Sequence, residues 1–117
     1  MLAAENVWIS RLTNKQPALA VWPSLNFDDC EKLAQDSEKV WLDYLENLND
    51  DDWTRSVEYR TSRGDPYSDS VADILTHVTI HGGYHRGQLA KIVVRNGGTP
   101  AVTDFIVYVR STNAGGA

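Results

Sequence analysis

The 117-residue chain is poor in sulfur and in structure breakers, with one cysteine, one methionine and four prolines. A lone Cys30 forms no internal disulfide, which excludes a disulfide-built secreted scaffold and fits a reducing cytoplasm. Uninterrupted apolar runs fall far short of the roughly 20 residues a membrane helix needs, so no membrane partner is expected. Met1 opens directly into a Glu-containing amphipathic segment with no basic leader, so no secretory signal is expected. Basic charge is scarce as well: 11 Lys and Arg stand against 16 Asp and Glu, for a net charge of -5, and the basic residues are scattered. A nucleic-acid binder displaces counterions with a basic surface, so nucleic acid is set aside as a partner. The one charge run, Asp50-Asp51-Asp52, reads as a solvated turn between two elements.

What is present is globular. Hydrophobic residues make up 42% and charged residues 23%, a composition that supports one core. The reading is a single domain over residues 1–112, with a flexible tail over 113–117. Leu2, Val7, Trp8 and Leu12 predict a helix from Met1 to about Thr13. Pro17 and Pro23 mark the stretch from Asn14 to Leu25 as a loop carrying Leu19, Val21 and Trp22. A second helix opens near Asn26, with Asp28, Asp29 and Glu31 favourably placed in its first turn. Along it Phe27, Cys30, Leu33, Val40, Trp41, Tyr44, Leu45 and Leu48 recur at three- and four-residue spacing, the strongest helical period in the chain, with Cys30 on the face read as buried.

Around residues 54–69 the period changes. Val57 and Tyr59 alternate roughly with charged residues, and Ser62-Arg63-Gly64-Asp65-Pro66 is a dense turn signal, so a short hairpin or an irregular insertion is expected. Ser70, three residues before Asp73, caps a third helix that carries Val71, Ile74, Leu75, Val78, Leu89, Ile92 and Val93 and stops at Asn96-Gly97-Gly98. A last helix follows Thr99-Pro100, with Thr103 as its N-cap. Trp8, Trp22, Trp41 and Trp53 are read as core and loop packing rather than as a cofactor cage.

All three histidines, His77, His81 and His85, fall in one window of the third helix. At 100° per residue, His81 and His85 lie about 40° and 80° from His77, on the flank of an apolar face centred near roughly 110°. Imidazoles at i and i+4 converge well enough to share one ion, whereas His77 and His85 stand about 12 Å apart along the axis. His81 and His85 are therefore the candidate metal pair, to be completed by a ligand from another helix. Gly82 and Gly83 sit between them at a cost of about 1 kcal/mol each relative to alanine, which suggests close approach of a backbone or a ligand. Tight helix packing without a ligand is the competing reason.

The segment His81-Gly82-Gly83-Tyr84-His85-Arg86-Gly87-Gln88 resembles the DinB/YfiT-like metalloenzyme family. So do Asn96-Gly97-Gly98-Thr99-Pro100, the opening Thr103-Asp104-Phe105, and the N-terminal run Leu2-Ala3-Ala4-Glu5 through Trp8 to Leu12. The resemblance implies an all-α, DinB-like bundle, with three to four of its helices in this chain, often dimeric, and a divalent metal (Zn, Ni or Fe) held by three histidines. Two of these map onto His81 and His85. The third would fall immediately before Met1, and the family's first helix has no counterpart. The sequence is then either a portion of a longer product or a shortened form that pairs with a second subunit, and a homodimer is expected. By resemblance the activity is a metal-dependent transfer or isomerisation using a low-molecular-weight thiol and a small-molecule substrate. Gln88, Arg86 and His77 are expected to support the metal pair, Gln88 beside His81 and Arg86 through packing or an ion pair, with Tyr84 available to a subunit interface. The other class is a non-catalytic bundle that associates with itself or with a partner.

Overall fold

The structure, a computed structural model, describes residues 1–16 and 24–115. The expected loop residues Pro17, Leu19, Val21, Trp22 and Pro23 lie outside the described residues. Among the described residues there are four helices, α1 (Leu2–Thr13), α2 (Phe27–Glu46), α3 (Val71–Arg95) and α4 (Phe105–Gly115), with a short 3₁₀ turn (Asp50–Thr54) and an antiparallel hairpin of β1 (Ser56–Arg60) and β2 (Pro66–Ser70) between α2 and α3. The protein is thus mostly helical, and the hairpin resolves the segment around residues 54–69. Along helix α3 the chain divides into two compact units, Met1–Thr79 and Ile80–Ala117.

Local chemistry sets the element ends. Asn26 Oδ1 accepts from the Asp29 N–H at 2.8 Å and starts α2. Ser70 Oγ accepts from the Asp73 N–H at 3.1 Å and starts α3. At the other end of α3, Gly97 takes φ 82°, and the Gly98 and Gly97 N–H groups return to the carbonyls of Val93 and Val94, closing a Schellman cap. The acidic run forms the exposed 3₁₀ turn, where Asp52 Oδ2 accepts from the Asn49 N–H at 2.8 Å. Gly64, at φ 86°, makes the hairpin turn that its sequence signals. Two boundaries shift: α4 begins at Phe105, with the Asp104 carbonyl rather than Thr103 at its start, and it continues through Asn113 to Gly115, where a tail was expected.

In the first unit, Ile9 and Leu12 of α1, Val57 of β1, and Val71 and Ile74 of α3 form the buried cluster, and Trp8, Trp41, Tyr44, Leu48, Tyr59, Leu75 and Val78 pack against it. Helix α1 packs on both α2 and β1. The hairpin therefore supplies core as well as turn. Helix α2 differs from its sequence reading: no residue of it is buried, Cys30 is half-buried and Phe27 is 81% exposed. A periodic face records which side chains could be covered, and of the apolar residues read on that face Trp41 and Tyr44 of α2, with Leu48 just beyond its end, pack against the core. Trp53 is exposed, so of the tryptophans Trp8 and Trp41 are the packing residues among those described.

In the second unit Gly82 is the sole buried residue among those described. Leu89, Ile92 and Val94 of α3 and Phe105, Ile106 and Tyr108 of α4 are all exposed. No helix among the described residues is long and apolar enough to cross a membrane.

Candidate metal centre

The capped, uninterrupted α3 carries the HxxxH spacing through two glycines without breaking, so His81 and His85 sit one turn apart on one face. Their rings cross nearly perpendicular (89°) with centroids 4.4 Å apart, and the two Nε2 atoms approach to 2.9 Å. One ring donates to the other, the direction depending on the tautomer. Burial holds the His85 pKa below the usual imidazole range, His81 adds to that shift, and a hydrogen bond with Gln88 opposes it. The neutral ring is the form that ligates.

Tyr84 flanks the pair. Its ring stacks beside His81 at 6.4 Å and meets His85 edge-on at 5.8 Å. Gln88 Nε2 donates to Tyr84 Oη at 3.2 Å. Gln88 therefore reaches His85 and Tyr84, where its helical position suggested His81. Tyr84 as a ring neighbour is the site residue that sequence reasoning missed; the signal was its three-residue offset from His81 and four-residue offset from Gln88. Arg86 folds back over the glycines, so that a methyl group on Gly82 would stand 3.0 Å from its Nη1 and one on Gly83 would stand 3.6 Å from its Nη2. The glycines thus make room for a side chain of their own helix. His77 lies in the first unit, edge-on to Trp8 at 5.3 Å, beside a cavity of about 340 Å³ shared with Tyr59, Asp69 and Asp73.

Two donors at about 2.1 Å from an ion and at right angles to each other stand about 3 Å apart, close to the observed Nε2 separation. The pair thus fits a bidentate chelate, provided the donor ring moves its proton to Nδ1. Among the described residues no group of three or more His, Cys, Asp or Glu side chains is assembled to hold an ion. His81 and His85 by themselves are two potential donors, fewer than the four of a tetrahedral site.

A family model described as the DinB family matches residues 1–116. No curated protein and no solved structure matches the chain.

Proposed function

The chain belongs to the DinB family, and from that premise we propose that His81 and His85 hold a divalent metal ion, Zn, Ni or Fe, at which a low-molecular-weight thiol is activated for transfer or isomerisation of a small-molecule substrate. The single observation that supports this reading is the 2.9 Å convergence of the two Nε2 atoms. A bound divalent ion supplies the chemistry by ionising a coordinated thiol near neutral pH. The chain's own residues hold and orient. His81 and His85 present ring nitrogens one turn apart on α3, Tyr84 walls one side of them, and Gln88 fixes both the Tyr84 hydroxyl and the His85 ring. Such thiol chemistry suits a reducing cytoplasm, as does the free Cys30.

The second reading is a non-catalytic bundle that associates with itself, most simply as a homodimer, or with a partner. It draws support from the exposed apolar residues of α3 and α4. Tag-free protein loaded with Co²⁺ separates the two. The enzymatic reading expects visible ligand-field absorption that changes on adding a small thiol and is lost in His81→Ala. Protein that retains no Co²⁺ would leave only the associating bundle.

A further inference from the structure

The first unit holds a cavity of about 340 Å³, lined by Trp8 of α1, Tyr59 of β1, Asp69 of β2, and Asp73, Ile74 and His77 of α3. That volume falls at the lower end of small-molecule sites, which run from roughly 300 to 1,000 Å³. The lining grades from solvent to core: Asp73 and His77 are exposed, Trp8, Tyr59 and Asp69 half-buried, and Ile74 buried. A ligand with one charged end and one apolar end matches such a gradient. The fixed charge there has one sign, because two carboxylates line the cavity and neither Lys nor Arg does. Arg11, which lies over the Trp8 and Tyr59 rings, lines a neighbouring cavity of about 660 Å³ together with Lys15 and Arg60. The Tyr59 hydroxyl donates to Asp69 Oδ2 and so holds that carboxylate in place. An ionised carboxylate accepts about four bonds, so Asp69 keeps capacity for a ligand.

We propose that this cavity binds a small organic cation, its primary ammonium group held by Asp69 and Asp73 and its apolar body set against Trp8, Tyr59 and Ile74. An ammonium offers three donors and no acceptor, the complement of a pair of carboxylates. Aromatic walls add to the attraction for a cation. An anion would be repelled by both carboxylates, and a neutral ligand would leave their mutual repulsion unrelieved. A bare metal ion suits the cavity less well, because Asp69, Asp73 and His77 are not assembled as a group of three that could hold one. The cation site contains neither His81 nor His85 and is independent of the metal-binding reading.

The test is an NMR titration of the tag-free full chain at pH 8 in EDTA, with benzylammonium, benzyl alcohol and benzoate as probes. These three vary the charge at nearly constant shape. The expected result is saturable binding of benzylammonium with a Kd of about 1 mM or below. The alcohol should bind at least about tenfold more weakly, a factor equivalent to about 1.4 kcal/mol, and benzoate should not bind. The Trp8 indole N–H resonance, assigned by its loss in Trp8→Phe, should shift as benzylammonium is added. Asp73→Asn, which keeps size and removes charge, should weaken binding by about threefold or more, and Asp73→Lys should abolish it. Because charge preference and location are both read on the unaltered chain, the outcome does not depend on how the Asp73 variants fold. No saturable binding of benzylammonium, equal affinity for all three probes, or an unmoved Trp8 resonance would overturn the cation site. None of these results bears on chelation by His81 and His85.

Discussion

The Tyr59 hydroxyl donates to Asp69 Oδ2 at 2.5 Å across the hairpin, where Asp69 is paired with Val57 and Tyr59 with Tyr67 in the strand register. Burial, followed by the bond to Asp69 and that carboxylate's charge, pushes the Tyr59 pKa up to about 12. A phenol raised above its ordinary value of about 10 contributes stability that is complete below pH 10 and is lost as pH climbs towards 12. Absorbance titration should therefore show a tyrosine step near pH 12, and Tyr59→Phe should delete that step. The same substitution should cost about 1–2 kcal/mol at neutral pH. A titration curve that Tyr59→Phe leaves unchanged in its late part would contradict the assignment.

Arg11 lies over two rings at once, its guanidinium carbon 4.5 Å from the ring centroids of both Trp8 and Tyr59, while Nη2 donates to the Arg60 carbonyl at 3.2 Å. This ties α1 to the hairpin. Urea unfolding should show Arg11→Ala losing about 1–2 kcal/mol, and Arg11→Lys recovering less than half, because an ammonium lacks the planar face that stacks between rings.

Ile74 is 2% exposed and belongs to the buried cluster, whereas Phe27 projects into solvent. Truncation of Ile74 to alanine should cost about 2–5 kcal/mol and Phe27→Ala about 0.5 kcal/mol or less. Equal losses would mean that the α2 face is covered after all.

That contrast marks how far sequence reading reaches. Helix ends were legible because Asn26, Ser70 and Gly97 act through bonds to near neighbours. The convergence of His81 and His85 was legible because it depends only on helical pitch. The hairpin was legible only as one of two alternatives, since five-residue strands carry too few alternations to decide. Burial along α2 was not legible, because Phe27 and Trp41 share one period and only the neighbouring elements choose between them. Nor was the place of Arg86, whose guanidinium returns over Gly82, a rotamer choice that composition does not encode.

The glycines of the site helix offer a matched pair. Gly87 has open space around a would-be methyl group, while at Gly82 that methyl would meet Arg86 Nη1 at 3.0 Å. Thermal unfolding should show Gly87→Ala gaining about 0.5–1 kcal/mol from helix propensity. Gly82→Ala should gain less, because the Arg86 side chain must swing aside. A larger gain at Gly82 would argue that the guanidinium does not rest there.

The central claim is that His81 and His85 act together as a metal chelate, and an equilibrium competition titration of tag-free protein with Zn²⁺ against a chromophoric chelator tests it most directly. The account predicts saturable binding that weakens by at least tenfold in His81→Ala and equally in His85→Ala, with helical content unchanged by circular dichroism. Binding of undiminished strength in both variants, or none in the unaltered chain, would contradict it.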